Sequence, residues 1–556
     1  MRLRHKRIIK LKPLDPKRLK SIYFFSLVVI LGLFGRLVNL QLFSSASLKS
    51  KASDMHLSKI NPIKIRRSIV DRNNRLIAFD KPLYTLWAHP KYFNFPGDPS
   101  KKVRSIEEVA SKLSPLVNAE KSILISKFNN KNIGVKLFDD LTEEQAINIR
   151  NLYISGLDLE SHSKRFYPQK SLFSHVVGFV NDDKNGSSGL ELHLDNKIRI
   201  LKKGNILKKG ADGTPLPDIS GPNDFLNDDK KIVLTLDSRL QKVSFNALAR
   251  QVREWKAKKG FALVMNVQNG EILSLVSFPS FDPNKFWEYD HSLFKGWYSQ
   301  DLFEPGSTFK PINLALALEE KVIKEDGYVQ DNGKIKVGGW TLSNWNKKGN
   351  GFISYPKVLQ VSSNVGMVKI MNKLNASIYW QWLRRLGIDE IPETDLPGAV
   401  SGQIKSKQTF VNQPIEPAVA SFGQGFSVTP LKLAQLHALI ANGGRLVTPH
   451  ITKGLKGDYE SYLTAPSEPK QVLSPEITNT VLGWMETVVT FYDESGIEVN
   501  VPGYRVGGKT GTAQKSQDGF NYNSKICSFV ASLPIDDPRY VVLAVIDEPQ
   551  KPNAYG

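Results

Sequence analysis

The stretch from Ile22 to Phe43 most constrains how this chain can fold, because it is 22 residues long and carries one charge, Arg36. As a helix it would extend roughly 33 Å, which is enough to span a bilayer. Nine Lys and Arg residues precede it within residues 1–20, against one acidic residue, Asp15. The positive-inside rule therefore predicts a cytoplasmic N-terminus, with everything after about residue 44 outside.

A cleaved signal peptide is the competing interpretation. Residues 22–35 resemble a signal core, and Ser44-Ser45-Ala46 is small enough for a cleavage site. The long basic region and the continuation of the apolar run past Arg36 favour an uncleaved anchor. The flanking charge disfavours a buried helix of a soluble protein.

Composition excludes several classes of function. The 556 residues carry 75 Lys and Arg against 54 Asp and Glu, which gives a net charge of +21. A basic chain can bind nucleic acid or an anionic surface, but no zinc-finger spacing or RNA-binding aromatic signature accompanies the charge. We therefore expect no nucleic-acid partner. The single cysteine, Cys527, excludes an intrachain disulfide, and nine histidines without a ligand-spaced pair indicate no metal and no cofactor.

Ser307 and Lys310 form the first motif with catalytic potential. Pro305-Gly306 is a turn pair and the run from Ile312 to Leu318 predicts a buried helix, so Ser307 should lie near a helix N-terminus. There the backbone N–H groups would stabilise an attacking alkoxide and an oxyanion beside it. A lysine three residues later lies on the same face and can accept the serine proton if its pKa is depressed.

The same S-x-x-K spacing occurs elsewhere in this chain, so spacing alone does not identify a catalytic serine. The other instances begin at Ser161, Ser354 and Ser467.

Ser362 and Asn364 belong to a second motif, Ser362-Ser363-Asn364, 55 residues after Ser307. A second hydroxyl near a catalytic lysine can relay a proton to a leaving amine, and an Asn side chain can hold both a lysine and a substrate amide. An ordinary Ser/Asn loop is the alternative.

The third motif is Lys509-Thr510-Gly511-Thr512. On a strand edge, its ammonium, hydroxyls and backbone N–H groups would bind a substrate carboxylate, and the glycine would let the ligand approach the backbone. With Gly503 the segment also fits the phosphate-loop pattern G-x-x-x-x-G-K-[ST]. That loop needs a buried strand before it and a helix after it, and the sequence predicts neither, so nucleotide binding is disfavoured.

Secondary-structure signals place these motifs in an α/β context. Residues 101–153 are predicted to be helical, and the Gly- and Pro-rich residues 203–230 are predicted to form a loop or domain boundary. A strand over 231–237, a helix over 238–253, and two strands joined by a turn at Asn269-Gly270 then predict an antiparallel sheet sandwiched by helices.

In this order behind an anchor, the three motifs resemble those of the penicillin-recognising serine enzymes. Over nearly the whole chain, the sequence is similar to the class B penicillin-binding proteins, in particular the division-type (septal) peptidoglycan D,D-transpeptidases. Asn364 favours the septal group, since elongation-type relatives usually carry Asp there. Other signature-like segments are Arg66–Arg72, Arg165–Pro168, Gly189–Glu191, Ser421–Gly425, Val428–Pro430 and Ala441–Gly444.

The resemblance implies an α+β (α/β) architecture in four segments. These are a basic cytoplasmic tail (1–21), a transmembrane helix (22–43), a β-rich elongated pedestal domain of the dimerisation type (44–230) and a penicillin-binding transpeptidase domain (231–556). Relatives continue into a last strand or helix beyond Gly556, so the resemblance implies that the transpeptidase domain is truncated at its C-terminus.

The resemblance also implies the chemistry. Ser307 would attack the penultimate D-Ala carbonyl of a stem peptide, with Lys310 as base, Ser362 passing a proton to the leaving amine and Asn364 orienting Lys310 and the substrate amide. The terminal carboxylate would be held by Lys509, Thr510 and Thr512, within the segment that contains Gly511. The backbone N–H groups of Ser307 and Thr512 would form an oxyanion hole.

The implied partners are stem peptides ending in D-Ala-D-Ala, β-lactam antibiotics, a membrane-embedded glycosyltransferase polymerase and proteins of the division complex. The implied location is the bacterial cytoplasmic membrane, single-pass, with the catalytic domain outside and at the division site. An elongation-type transpeptidase, a hydrolase and a catalytically idle penicillin-binding scaffold or sensor are the alternatives. Four residues depart from the usual family pattern in the pedestal segment: Arg67, Asn74, Lys164 and Lys170.

Overall fold

The structure is a computed structural model. It describes residues 16–45, 57–59, 64–93, 105–129, 134–201, 206–208, 230–456, 467–494, 499, 501–514 and 525–551. The basic tail before residue 16 and most of the predicted loop at 203–230 lie outside these residues. The chain divides into two compact units, Met1–Lys64 with Leu201–Asn227, and Ile65–Ile200 with Asp228–Gly556.

The first unit contains a long apolar helix. An α-helix over Pro16–Val38 continues into a π-helical stretch over Asn39–Phe43. Within them, Leu19–Phe43 has a mean hydropathy of 2.1, and none of it is buried. Among the described residues this helix alone is long and apolar enough to cross a membrane, and it contains the predicted span. The unit also contains two antiparallel strands, β1 (Leu57–Lys59) and β8 (Ile206–Lys208).

The second unit contains a six-stranded sheet. Its path runs β17-β9-β3-β4-β5, with β6 paired to β4, and β3 and β9 are parallel while the other pairs are antiparallel. These strands are β3 (Ile69–Val70), β4 (Leu76–Ala88), β5 (Val135–Leu141), β6 (Leu157–Phe166), β9 (Lys231–Leu234) and β17 (Thr452–Lys456). Strand β9 lies within the strand predicted at 231–237. It pairs with β3, from before residue 230, and with β17, from after it.

The segment 101–153 contains a strand as well as the helices expected from its sequence. Helices cover Ile106–Val117, Lys121–Asn129 and Glu143–Arg150, but β5 pairs with β4 between them. The all-helical prediction was wrong there, because pairing with β4 overrides a weak local preference. The last helix begins with a capping box in which the side chains of Thr142 and Gln145 bond each other's backbone N–H.

Two of the departures from the family pattern are accommodated in left-handed backbone. Asn74 has φ 61° and Lys170 has φ 50°. Asn tolerates this conformation, whereas for Lys it is uncommon. Arg67 is not among the residues with positive φ, so it does not carry the strain that a glycine position would impose.

A buried ion cluster ties β2 (Lys64–Arg66) and β6 to a short helix, Gly189–His193. Glu191 accepts from Arg66 Nε at 2.9 Å and Nη2 at 2.6 Å, and from Arg165 Nε at 2.7 Å. Two further carboxylates complete the cluster. Asp195 accepts from Arg66 Nη1 at 2.5 Å, and Asp80 accepts from Arg165 Nη1 at 3.1 Å. Both guanidinium groups are almost fully buried, so the carboxylates compensate their desolvation.

A five-stranded antiparallel sheet carries the functional region. Its order is β11-β10-β21-β20-β19. The strands are β10 (Lys259–Asn266), β11 (Ile272–Phe278), β19 (Gly507–Gln514), β20 (Lys525–Leu533) and β21 (Tyr540–Asp547). The hairpin predicted at Asn269-Gly270 is present, with Gly270 at φ 79°.

Helices cover both faces of this sheet, which confirms the predicted sandwich. Along β10, Phe261 and Leu263 join the main core, whereas Ala262 faces the helix Ser238–Glu254, as the two-residue period of a strand requires. The helix Pro430–Ala441 is buried along its whole length in the main core. The helix Pro475–Glu494 packs on β19 through Val489.

The remaining elements are short. Strands lie at Arg199–Leu201 (β7), Tyr328–Asp331 (β12), Lys334–Val337 (β13), Trp340–Ser343 (β14), Gly351–Ser354 (β15), Arg445–Leu446 (β16) and Lys470–Gln471 (β18). Helices lie at Ser174–Val177, Asp195–Ile198, Trp297–Gln300, Lys310–Glu319, Tyr355–Gln360, Asn364–Met371, Ala376–Arg385, Lys407–Asn412 and Ile415–Ala420, and 3₁₀ turns at Pro90–Tyr92, Lys170–Leu172, Pro283–Glu288, His291–Phe294 and Gly306–Phe309.

Glu191→Ala is expected to lower the free energy of unfolding by about 3–5 kcal/mol, because it leaves two buried guanidinium groups without their shared carboxylate. Denaturation of the detergent-solubilised chain, followed by tryptophan fluorescence, measures this. The matched control is Glu288→Ala, which removes an exposed partner of Lys285 at 3.4 Å and should cost less than about 1 kcal/mol. Equal losses in the two variants would contradict the role given to the cluster.

Candidate active site

Ser307 lies on a tight turn that leads directly into a buried helix. The 3₁₀ turn Gly306–Phe309 is followed by the helix Lys310–Glu319, hereafter the nucleophile helix. Pro311 fits its first turn, where no backbone N–H is needed. Residues from Lys310 to Leu318 are buried, as predicted for an apolar run of this kind. Because a 3₁₀ turn eclipses side chains three residues apart, Ser307 and Lys310 share a face.

A glycine-rich loop packs against the backbone of this turn. Gly306 N donates to Gly423 O at 2.9 Å, and Gly425 N donates to Glu304 Oε1 at 2.8 Å. Gly423 has φ 82°, and a Cβ added there would meet Gly306 O at 2.0 Å. The position therefore requires glycine for both conformation and space.

Lys310 is completely buried, and its ammonium donates to a loop more than fifty residues away. Nζ lies 2.6 Å from Ser362 O, 3.2 Å from Ser362 Oγ and 2.8 Å from Asn364 Oδ1. Within the described part of the chain, Ser307 Oγ makes no hydrogen bond. The structure thus joins the first and second predicted motifs through Lys310.

The third motif lies on β19, the edge strand beside the nucleophile turn. Gly306 has φ 57°, and a Cβ added there would lie 3.1 Å from Thr512 O. One added at Gly511 would meet Ser528 Oγ at 2.6 Å and Thr308 Cγ2 at 2.8 Å. Both the neighbouring strand and the nucleophile turn therefore approach the backbone closely at Gly511, and the approach of a ligand there stays a prediction.

Lys509 is also completely buried. Its ammonium donates to Thr510 O at 3.1 Å and Thr510 Oγ1 at 3.4 Å, and Tyr492 Oη lies 3.0 Å from the same hydroxyl. Lys509 and Thr510 lie inside a strand and not at a strand-to-helix loop. This placement disagrees with the phosphate-loop interpretation.

The site contains two buried lysines, and both have a lowered pKa. Burial lowers the pKa of Lys310 well below its usual value, and the charge of Lys509 lowers it further, whereas the charge of Asp331 raises it. Burial lowers the pKa of Lys509 to about 7. Lys310 therefore loses its proton more readily than an ordinary lysine and is suited to act as a base.

Several residues that support the site were not identified from the sequence. Asp331 and Asn344 are buried and hold the Ser362–Asn364 loop: Ser363 Oγ donates to Asp331 Oδ2 at 2.7 Å, and Asn364 N to Asn344 Oδ1 at 2.9 Å. His437 lies 2.8 Å from Thr308 O through Nε2, and burial lowers its pKa to about 4. The only feature of the local sequence that could have indicated any of these residues is the Asp-Asn-Gly turn that begins at Asp331.

No group of three or more His, Cys, Asp or Glu side chains that could hold a metal ion occurs among the described residues. The site is instead built from hydroxyl, amide and ammonium groups. This arrangement is suited to acyl transfer through a serine, with a neutral lysine as base and a second hydroxyl as proton relay.

Two protein-family models match this chain. The penicillin binding protein transpeptidase domain matches residues 260–556, and the penicillin-binding protein dimerisation domain matches residues 64–221. The first match covers more than half of the chain. The exact boundaries predicted for the four segments stay a prediction.

Individual relatives extend over nearly the whole chain. A peptidoglycan D,D-transpeptidase FtsI homolog of Mesostigma viride is 35% identical over 571 residues, which span 97% of this chain and 94% of the relative. The peptidoglycan D,D-transpeptidase FtsI of Escherichia coli is 29% identical, over 95% of this chain and 87% of the relative. The crystal structure of penicillin binding protein 3 from Mycobacterium tuberculosis in complex with aztreonam superposes with a TM-score of 0.66 at 22% identity, over 89% and 93% of the two chains, which shows a common fold.

Gly423→Ala is expected to destabilise the protein more than Gly443→Ala, although both positions have similar φ, 82° and 79°. Both variants pay the left-handed strain of about 1–2 kcal/mol. A Cβ at Gly443 meets only Pro475 Cβ, at 3.8 Å, whereas one at Gly423 overlaps Gly306 O. Thermal unfolding of the two variants measures the difference, and equal midpoints would show that the glycine loop does not constrain the nucleophile turn.

Proposed function

This chain belongs to the class B, division-type penicillin-binding proteins, and from that premise we propose that it is a peptidoglycan D,D-transpeptidase that cross-links stem peptides in septal cell-wall synthesis through a serine acyl-enzyme. The observation that carries the proposal is the fully buried ammonium of Lys310, held by Ser362 and Asn364 on the same helical face as Ser307.

Ser307 is the proposed nucleophile. Its Oγ attacks the penultimate D-Ala carbonyl, and its proton passes to neutral Lys310. The C–N bond of the terminal D-Ala then breaks, and the leaving amine takes a proton from Lys310 through Ser362, whose Oγ lies 3.2 Å from Nζ. The amine of a second stem peptide attacks the ester carbonyl, loses its proton through the same groups and releases Ser307.

Carboxylate recognition is assigned to β19. Protonated Lys509 with the hydroxyls of Thr510 and Thr512 binds the terminal carboxylate, and the backbone N–H groups of Ser307 and Thr512 stabilise the oxyanion. The nearness of the nucleophile turn to β19 supports this assignment, since even a Cβ added at Gly306 would lie 3.1 Å from Thr512 O. A β-lactam, which carries a strained amide and a carboxylate, would occupy the same groups and acylate Ser307.

The apolar helix supports a single-pass membrane protein. We propose a cytoplasmic N-terminus, because of the basic residues before the helix, with the catalytic region outside and at the division site. The synthesis of glycan strands is assigned to a separate glycosyltransferase polymerase in the membrane, working with division-complex proteins.

Ser307→Ala is expected to abolish covalent labelling by penicillin while the fold is retained, because the substitution removes one oxygen atom. The full chain in detergent is incubated with penicillin, and intact mass and peptide mapping locate the adduct over time. Ser354→Ala is the matched control, since Ser354 and Lys357 share the S-x-x-K spacing; it should label as the wild type does. A persistent adduct in Ser307→Ala would refute the nucleophile, and rapid decay of the wild-type adduct would indicate a hydrolase.

The rate constant of penicillin acylation is expected to follow a bell-shaped pH profile. It should rise with pH as Lys310, whose pKa is lowered well below its usual value, loses its proton and becomes a base. It should fall above about pH 7, where Lys509 loses the charge that binds the carboxylate. Near-UV circular dichroism at each pH separates this fall from unfolding. A rate that keeps rising into alkaline pH would contradict the role of Lys509.

A further inference from the structure

The Ser362–Asn364 loop is held in an unfavourable conformation. Ser362 has φ 52°, in the left-handed region that non-glycine residues seldom adopt. This conformation accompanies the short hydrogen bond, 2.6 Å, that its carbonyl accepts from Lys310 Nζ. Strain of this kind persists only where the surroundings enforce it, so some other group must hold the loop in place.

Asp331, at the end of β12, is that group. It is 1% exposed, and its carboxylate accepts from Ser363 Oγ at 2.7 Å, Asn350 Nδ2 at 2.5 Å and Gly333 N at 2.8 Å. Asn344 Nδ2 donates to both of its oxygens, at 3.0 and 2.9 Å.

Asn344 carries the connection onward to the loop. Its Oδ1 accepts from Asn364 N at 2.9 Å and Val365 N at 3.1 Å. The side chain of Asn364 in turn accepts from Lys310 Nζ at 2.8 Å. A continuous path of hydrogen bonds therefore runs from Asp331 through Asn344 to the backbone of Asn364, whose side chain bonds Lys310.

The carboxylate also has an electrostatic effect that a neutral residue would lack. Burial raises the pKa of Asp331, but the hydrogen bonds from Asn350, Gly333, Ser363 and Asn344 outweigh burial, and the pKa lies below its usual value. Asp331 is thus ionised at neutral pH. In the described part of the chain its hydrogen-bond donors are all uncharged, and its charge opposes the effect of Lys509 on Lys310.

We propose that Asp331 is a positioning residue for acyl transfer, which holds the Ser362–Asn364 loop against Lys310 through Asn344 and Ser363 and acts on the Lys310 ammonium through its charge. The proposal rests on the proposed function of this site. It assigns a role to two residues outside the three motifs. No contact between Asp331 and substrate is involved.

Asp331→Asn removes the charge at nearly constant size and turns one acceptor oxygen into a donor that faces other donors. In the full chain in detergent, the rate constant of acylation by a fluorescent penicillin should fall by about tenfold to a hundredfold, as expected when a catalytic group is displaced. The acid limb of the pH profile should move to lower pH, because Lys310 loses its proton more readily without the nearby anion. A merely structural role would lower the rate without moving the limb.

Two further variants separate the two effects. Asn344→Ala breaks the bonds to Asn364 and Val365 but leaves the carboxylate, so the rate should fall while the acid limb keeps its wild-type position. Asp326→Asn makes the same charge change at an exposed residue two residues before the start of β12, beside Gly327, and should behave as the wild type does.

Wild-type rates in Asp331→Asn at every pH, or a reduced rate with an unmoved acid limb, would overturn the proposal. If Asp331→Asn does not fold, as judged by near-UV circular dichroism, an unchanged rate in Asn344→Ala would overturn it instead. If penicillin labels Ser307 in the wild-type chain, the proposed function stands in all these cases. Absence of any labelling in the wild type would overturn both.

Discussion

Removing the Lys310 ammonium from water is the constraint on which the organisation of the site depends. An ammonium at zero exposure loses several kcal/mol of hydration, which oxygen acceptors must offset. The nucleophile helix is apolar around Lys310 and supplies none, so all three acceptors come from the Ser362–Asn364 loop. That loop must in turn be held in place by groups outside it. The need to satisfy one buried cation therefore organises two segments far apart in sequence.

The sequence predicted those parts of the site that depend on local geometry. The i, i+3 relation of Ser307 and Lys310, the buried helix after them and the turn at Asn269-Gly270 follow from spacing and turn chemistry, and the structure contains each of them. That three distant motifs would meet came from family resemblance. Asp331 and Asn344 were missed, because a buried polar pair has no periodic pattern and neighbouring residues do not reveal its partners.

In the rest of the fold, too, elements that depend on local sequence were predicted, and an element that depends on a distant partner was missed. The helix Ser238–Glu254 and the strands of the β10–β11 hairpin were predicted closely. Strand β5 was missed, since its identity depends on β4, which lies more than forty residues earlier. In the pedestal segment, Lys170 adopts a left-handed conformation in place of the usual glycine. A left-handed conformation costs a residue other than glycine about 1–2 kcal/mol.

Strand β9 has a consequence for how the molecule can be divided. It pairs with β3, which comes before the domain boundary predicted at residue 230, and with β17, which comes after that boundary. A fragment that starts at residue 231 would expose the main-chain groups of β9 that β3 normally covers, and such an open edge invites pairing with other chains. Cutting the chain at residue 230 would therefore separate two strands of one sheet.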